Sequence, residues 1–482
     1  MTLTTMKTAL PDGLIAVVKR DCPTCALVVP VLEQLASTGT LLVATQDDPS
    51  FPPGLDPEDD TALELSYELD IETVPSLLRV QDGKIADRTE GWSRERWEAL
   101  TGIEPLGDGL PDFRPGCGSR TLDPEVVRLR TVARADTQLR SRRVELGELE
   151  DDVEACIERG WSDGLPVIPP TLERVANMLE ATTRDPHEVV AVVPPDLAEC
   201  TVEKVAINAV LAGCKPEYLP VVLAAVEAAC TDEFNMHGLL ATTYFSGPVV
   251  IVNGPIAKRI GMNSGMNVLG QGNRANSAIG RALQLVVRNV GGGRPGGVDR
   301  ATLGNPGKLS FCFPEDEEGS PWEPLSVERG IPAGTSAVTL FCGEGPHGVI
   351  DQLSRTPESL ARSFAMSLRS VAHTKLAIGF DAMLVVSPEH GARFKEGGWT
   401  KQRLRDELLE LLTVDGSELV RGADGCDEGL PEGFASSRIP KFLPDGLLIV
   451  HAGGKAGLFS AIIGGWVNGA TGSRPVTRVI QE

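Results

Sequence analysis

Short apolar runs without alternation are the feature of this sequence that most restricts its fold. Beyond residue 240 the runs include PVVIVNGP, AVTLFCGEGPHG, AMLVVSPEHG and LLIVHAGGKAG, and each ends in a turn with polar or ionisable residues. Strands that are apolar on both sides are typical of sheets covered by helices on both faces. We therefore predict, over residues 160–482, a large α/β region of one or two subdomains with a mostly buried, parallel or mixed sheet.

The ends of these runs are where we expect a site, because ligands of such sheets bind beyond the carboxyl ends of the strands. Asn253 ends the first run, and His347, His390 and His451 lie at the ends of the others. These histidines would hold a metal only if folding brought them together, which a sequence does not decide. We therefore assign no metal site.

The charge and the apolar content exclude several classes of protein. A net charge of −22 would repel the phosphates of a nucleic acid or of lipid headgroups. The first residues lack the apolar segment of a secretory signal, and the longest apolar stretches are shorter than the ~20 residues of a membrane helix. Ten cysteines in 482 residues are too few for a disulfide scaffold. We predict a cytoplasmic protein with neither a nucleic-acid nor a membrane partner.

Residues 19–27, KRDCPTCAL, place two cysteines in a CxxC spacing directly after an apolar run. Pro23 suits the first turn of a helix, so Cys22 would cap that helix and Cys25 would follow one turn later. Two buried thiols or half of a zinc site are the alternatives. Because the chain has neither a second CxxC nor a closely spaced pair of histidines, a redox-active dithiol is favoured over zinc.

Residues 13–102 predict the order β-α-β-α-β-β-α, with Ser93 capping the last helix and Gly102 ending it. Together with CPTC and with Thr73-Val74-Pro75 ahead of the hairpin, this order resembles a thioredoxin domain. The resemblance implies that Cys22 attacks, that Cys25 resolves, and that Pro75 stands in the place of the family's cis-proline. Asp21 stands where the family commonly has an aromatic residue, so the redox potential cannot be transferred.

A Pro/Gly-rich linker and a charged connecting helix are predicted over residues 103–159, between a thioredoxin-like domain (1–102) and the large region (160–482). Cys117 lies in this segment, flanked by glycines and near Arg114 and Arg120. We expect an accessible thiol whose pKa the two arginines lower. Cys117 is therefore a candidate third catalytic thiol.

Within the large region, GQGNRANS runs directly into a helical pattern. Exposed amides at a helix start favour anions, so Asn273, Arg274 and Asn276 join Asn253 as candidate substrate-binding residues. Arg294 is another, because it lies in a long Gly/Pro-rich loop over residues 291–324. His237 is a candidate catalytic residue. The glycine spacing is that of neither a phosphate-binding P-loop nor a dinucleotide fingerprint.

Segments such as GWSDGLPVIPPTLERV and AGGKAGLFSAIIGGWVNGATGS resemble uncharacterised bacterial proteins associated with thioredoxin-like (seleno)proteins of the UGSC type. This resemblance implies thiol or selenol chemistry on a small organic substrate, and it supplies no catalytic residues.

These observations favour a thiol-dependent redox enzyme. In this hypothesis the CPTC dithiol serves a fused region that transforms a small, anionic organic substrate at a carbon–sulfur or other soft-atom bond. The sequence requires no cofactor beyond the dithiol, and we expect a protein or low-molecular-weight thiol reductant and a homo-oligomer. A hydrolase or lyase in the large region, metal-assisted or not, with the thioredoxin-like part as a docking module, is the alternative. A thiol-dependent scaffold or chaperone is a third.

Overall fold

The computed structural model describes residues 10–147 and 149–481. The chain forms two compact units, Met1–Arg134 and Ala135–Glu482. The boundary falls inside the segment 103–159 that we predict as a linker and helix, and residues 103–134 belong to the first unit. Both units combine helices with sheets, which confirms the α/β class.

The first unit contains a five-stranded sheet and several short ladders. Its elements are β1 (Gly13–Val18), α1 (Pro23–Leu27), α2 (Val29–Thr38), β2 (Leu41–Thr45), β3 (Glu58–Asp59), α3 (Glu64–Glu68), β4 (Thr73–Val74), β5 (Ser76–Gln81), β6 (Lys84–Glu90), β7 (Trp92–Ser93), α4 (Arg94–Thr101), β8 (Phe113–Arg114) and β9 (Cys117–Gly118). The strand order of the large sheet is β3-β2-β1-β5-β6. β1 is parallel to β2 and antiparallel to β5, so the sheet is mixed.

The helices of this unit begin and end at residues that local chemistry favours. Ser93 caps α4, since its side chain accepts from the Arg96 backbone N–H, and Gly102 ends the helix at a φ of 72°. Both ends are as predicted. The helical pattern over 23–37 is divided at Val28 into α1 and α2. Pro30, in the first turn of α2, has no N–H with which to continue the hydrogen bonds of α1.

Residues 113–118, which we predict as part of a linker, are instead paired with the rest of the first unit. β8 pairs with β7, and β9 pairs with β4. Farther along, Ser119 donates its backbone N–H to the Glu72 carbonyl over 2.8 Å. The segment is therefore held along its length, and α5 (Pro124–Gln138), which contains the unit boundary, follows it.

The second unit is built on a seven-stranded sheet. Its elements are α6 (Asp152–Glu158), α7 (Leu172–Leu179), β10 (Val189–Val193), β11 (Ala198–Thr201), α8 (Val202–Ala212), α9 (Leu219–Ala229), α10 (Met236–Ala241), β12 (Gly247–Asn253), α11 (Pro255–Arg259), α12 (Arg274–Asn289), β13 (Cys312–Pro314), α13 (Leu325–Glu328), β14 (Ala337–Ile350), α14 (Pro357–Leu368), β15 (Phe380–Val386), α15 (Pro388–Glu396), α16 (Lys401–Leu411), β16 (Thr413–Asp415), α17 (Gly416–Leu419), β17 (Arg438–Pro440), β18 (Leu447–His451), β19 (Phe459–Val467) and β20 (Val476–Val479).

The order of this sheet is β13-β12-β14-β19-β15-β18, and β20 pairs with part of β14. β12 and β13 are parallel, as are β15 and β18, whereas the other pairs are antiparallel. All seven residues of β12 are buried, because one face of that strand packs with α8, α9 and α12 and the other with residues such as Phe311 and Leu325. The predicted buried, mixed sheet is therefore confirmed.

The charged segment 124–159, which we predict as one connecting helix, is two helices. α5 ends at Gln138 and α6 begins at Asp152. In between, the Glu203 carboxylate accepts the backbone N–H groups of Arg140 and Ser141 over 3.1 and 2.8 Å, so these groups do not form helical hydrogen bonds. Over residues 10–147 and 149–481, no helix is both long and apolar enough to span a membrane.

Candidate functional site

Three thiols meet in the first unit, at the start of α1 and at β9. Cys22 caps α1, and its Sγ accepts the Cys25 backbone N–H over 3.4 Å. The Sγ atoms of Cys22 and Cys117 lie 2.8 Å apart, which places them in hydrogen-bond contact. Two of these thiols are local to CPTC, and the third is brought in from 95 residues away.

The third thiol is positioned by β4. Cys117 lies directly opposite Val74 in the antiparallel β4–β9 pair, and the Val74 carbonyl is 3.6 Å from Cys22 Sγ. Pro75 follows β4 and is buried, and the Val74–Pro75 peptide bond is cis. Thr24 Oγ1 donates to the Pro115 carbonyl over 2.7 Å and joins α1 to the residues just before β9, the strand that carries Cys117.

The three thiols differ in how readily they ionise. A hydrogen bond from Cys25, and a weaker contribution from Cys117, lower the pKa of Cys22 to about 5 against the opposing effect of burial. Burial raises the pKa of Cys25, and the hydrogen bond with Cys22 raises it further. At neutral pH Cys22 is therefore the thiolate of the three, which is the nucleophilic form.

The expectation for Cys117 was wrong in one respect. We predict from Arg114 and Arg120 that its pKa is lowered, but burial and the neighbouring Cys22 raise it. Arg120 instead donates a hydrogen bond to the Gln46 carbonyl over 3.1 Å. Cys117 remains partly exposed, whereas Cys22 is only 1% exposed and Cys25 is fully buried.

The candidate substrate-binding residue Asn253 lies buried at the end of β12, within a network of side chains. Its Nδ2 donates to Glu315 over 2.8 Å and to Glu317 over 2.9 Å. The backbone N–H of Leu325 also donates to Glu315, over 2.7 Å. Asn253 therefore positions the two carboxylates.

The helix start at α12 is held mainly by its own asparagines. Asn273 caps the helix by accepting the Asn276 backbone N–H over 3.0 Å, and Asn276, which is buried, donates to the Asn263 carbonyl over 2.8 Å. Arg274 is exposed and donates its Nε–H to the Gly213 carbonyl over 2.9 Å. Of these three residues, Arg274 is the one whose charge faces solvent.

His237 and Arg294 are both exposed. His237 lies on α10, and none of the described residues forms a hydrogen bond or ion pair with its ring. Arg294 lies beside the backbone of Gly160. Among the described residues, neither side chain forms a hydrogen bond with Asn253, Asn273 or Asn276.

A buried ionic network beyond the strand ends was not predicted. Lys401 Nζ lies 3.2 Å from Glu328 Oε2 and 3.9 Å from Glu315 Oε1, and Arg405 also pairs with Glu328. Burial raises the pKa of Glu315, and the Lys401 charge opposes that shift. Glu315 directly follows β13, and the apolar residues of that strand are a sequence signal for a strand end. Lys401 is distant in the sequence, so no local pattern predicts that it pairs with Glu315.

A cavity of about 890 Å³ lies in the second unit, away from the predicted residues. Apolar side chains such as Trp161, Val175 and Leu211 form part of its wall. Arg140 and Arg142 also line it, and among the described residues neither guanidinium has a hydrogen-bond or ion-pair partner. The remaining charged residues of the lining are Arg143, Glu145, Asp152, Arg159, Glu203 and Lys204. An apolar wall with free cationic groups suits an organic anion.

His390 and His451 are buried at separate hydrogen-bonded positions. His390 contacts Ser460 and the Asp351 carbonyl, and His451 Nδ1 lies 3.6 Å from Asp316 Oδ2. Nowhere in residues 10–147 and 149–481 do three or more His, Cys, Asp or Glu side chains form a group suited to a metal ion. Comparisons of the chain with known protein families and with curated proteins found no match.

Proposed function

We propose that this protein is a thiol-dependent redox enzyme whose first unit is a thioredoxin-like domain. The observation that carries the proposal is the group of three thiols, of which Cys22 is a thiolate at neutral pH. The sheet order and the position of Cys22 between β1 and α1 support the thioredoxin-like fold. A strongly perturbed thiol with a specific partner is a feature of reactive cysteines rather than of structural ones.

The proposed reaction is thiol–disulfide exchange. The Cys22 thiolate attacks one sulfur of a disulfide, forms a mixed disulfide and releases the other sulfur as a thiolate. The Cys25 thiol then attacks Cys22 Sγ and gives its proton to the departing sulfur, so that the second half of the substrate leaves as a thiol. The two cysteines are oxidised to a disulfide while the substrate disulfide takes up two electrons. A protein or low-molecular-weight thiol would restore the dithiol.

In this proposal, the second unit binds the small organic anion that accepts the electrons of the dithiol. The cavity of about 890 Å³ supports an anionic, partly apolar ligand, because unpaired arginines adjoin an apolar wall. This cavity replaces the predicted strand-end residues as the candidate binding place.

Decanoate as a probe, with decanol as the uncharged control, would raise the melting temperature of the wild type but not of R140Q/R142Q. R362Q, which changes an exposed arginine of α14, is the matched control.

The redox proposal is tested by the rate at which the reduced protein consumes glutathione disulfide. We expect Cys22→Ser to abolish the reaction of the dithiol. Cys426→Ser, which removes a partly exposed thiol of the second unit, should react as the wild type does. An unchanged rate in Cys22→Ser would reject the redox function.

A hydrolase or lyase in the second unit is the second candidate. The observation that favours it is the His451–Asp316 pair beside the buried Glu315, since such pairs also occur in acid–base catalysis. Activity on a small substrate that survives replacement of all three thiols by serine would favour this alternative. Metal analysis of the purified protein distinguishes its metal-assisted form.

A further inference from the structure

Cys117 lies where a reacting sulfur must lie in order to exchange with Cys22. Its Sγ is 2.8 Å from Cys22 Sγ, closer to that atom than the Val74 carbonyl oxygen at 3.6 Å or the Cys25 backbone nitrogen at 3.4 Å. Cys117 is also the only one of the three thiols that is partly exposed. A disulfide arriving from solvent therefore meets Cys117 before it meets Cys22.

The position of Cys117 is built by several contacts on both sides of it. β9 pairs with β4, and Lys19 Nζ donates to the Gly118 carbonyl over 2.8 Å. On the other side, Gly116 packs so closely that a Cβ there would overlap Thr73 Cγ2 and lie 2.8 Å from the Val74 carbonyl oxygen. Only glycine at position 116 allows β9 to approach β4 this closely.

We propose that Cys117 is the outer thiol of a three-thiol relay, which exchanges with external disulfides and passes the new bond to Cys22 and then to Cys25. The inference rests on the proposed thiol–disulfide function and adds to it a path from solvent to the buried dithiol. The substrate class is a disulfide, RSSR, small enough to reach a partly exposed strand.

The relay conserves protons and electrons at every step. Cys117 passes its proton to the Cys22 thiolate and attacks RSSR, giving Cys117–S–S–R and RS⁻, which takes the proton back from Cys22. The Cys22 thiolate then attacks the Cys117 sulfur and releases the second RS⁻. Finally, Cys25 gives its proton to Cys117 and attacks Cys22 Sγ, so that Cys117 leaves as a thiol. The products are a Cys22–Cys25 disulfide, one RSH and one RS⁻, and RSSR has gained two electrons.

Single-cysteine variants of the full chain test the relay with glutathione disulfide as the oxidant. Cys25→Ser should stop at a Cys22–Cys117 disulfide, which mass spectrometry detects as a link between two tryptic peptides after acid quenching. Cys117→Ser should slow oxidation of the dithiol by about tenfold or more, because Cys22 is buried. A wild-type rate in Cys117→Ser, or glutathione retained on Cys22 in Cys25→Ser without that link, would overturn the relay.

A glycine pair tests the same idea with all three thiols present. Gly116→Ala should push β9 away from β4 and slow oxidation as Cys117→Ser does. Gly118→Ala is the matched control, because a Cβ at position 118 meets no atom within 4 Å. Equal, wild-type rates in both variants would also overturn the relay.

Failure of the relay differs from failure of the proposed function. If Cys22→Ser abolishes oxidation while Cys117→Ser and Gly116→Ala do not change its rate, the dithiol reacts directly and only the relay is wrong. If Cys22→Ser itself reacts normally, the redox function fails and the relay fails with it.

Discussion

At the scale of single residues, the charge of Cys22 is the property on which the proposed chemistry depends. Its pKa is about 5, against an ordinary value of 9.0, so the reduced wild type should gain thiolate ultraviolet absorbance in a step centred near pH 5. The thiolate is present above this pH and lost below it. Cys22→Ser should lack the step. A first step near pH 9 in the wild type would contradict the assignment.

A second residue-scale prediction concerns Lys401, which is 4% exposed between two carboxylates. Lys401→Met leaves Glu315 and Glu328 with less compensating charge in a buried network, and we expect the free energy of unfolding to fall by roughly 3–5 kcal/mol. Denaturant unfolding measures the change.

Lys258 provides the matched control for that substitution. It also pairs with a glutamate, Glu318, but both side chains are largely exposed. Lys258→Met should leave the unfolding midpoint unchanged, because water already solvates both charges. A similar decrease in the free energy of unfolding of both variants would show that burial does not determine how much these ion pairs contribute to stability.

What the sequence revealed at this scale depended on distance along the chain. The capping of α1 by Cys22 follows from CPTC alone, since it needs only Pro23 and a spacing of three residues. The contact between Cys22 and Cys117 depends on the β4–β9 pairing, and no local pattern predicts that pairing. For the same reason the effect of Arg114 and Arg120 on Cys117 could not be judged from proximity in sequence.

At the scale of elements, continuous apolar runs predicted several strands, whereas a strand interrupted by two consecutive glycines was not predicted. β12, β15 and β18 coincide with apolar runs of the sequence. β19 occupies the sheet between β14 and β15, yet it contains Gly464 and Gly465. A Cβ at position 465 would lie 2.7 Å from the Asp381 carbonyl oxygen, so the close approach of β15 requires glycine at this position of β19.

The Asn273 side chain caps α12, so this residue should contribute to the stability of that helix. Asn273→Ala removes the acceptor for the Asn276 backbone N–H and should lower the free energy of unfolding by about 1 kcal/mol. Asn273→Asp keeps an acceptor at the favourable end of the helix dipole and should retain most of the stability.

Thermal or denaturant unfolding compares these two variants, and decanoate binding is measured on both. If Asn273→Ala abolishes ligand binding while its stability is unchanged, Asn273 is a binding residue and the cap is unimportant. Loss of stability with intact binding is the result we expect, since the asparagine hydrogen bonds are made within the protein.

At the scale of the whole molecule, the chain has separate hydrophobic cores. Residues such as Trp92 and Trp97 belong to the core of the first unit, whereas the second unit has its own clusters on the two faces of its sheet. Composition and motifs indicated two regions, but not that residues 113–118 pair with the first unit. That pairing uses two short ladders, which involve Phe113–Arg114 and Cys117–Gly118. Each strand has only two residues, which is too few for a recognisable strand pattern in the sequence.

The irregular segment after α5 is where we expect proteolysis of the folded chain to begin. Arg142 and Arg143 are exposed and lie outside regular structure, so limited trypsin digestion should cut there first and release a fragment with each core. The Glu203 carboxylate holds the backbone of Arg140 and Ser141 next to these bonds. Glu203→Gln removes one of its two equivalent acceptors and should speed the cut, whereas Glu217→Gln, at an exposed glutamate, should not. Sequencing of the fragment ends identifies the bond that is cut first. A first cut inside the sheet of either unit would contradict the division of the chain between residues 134 and 135.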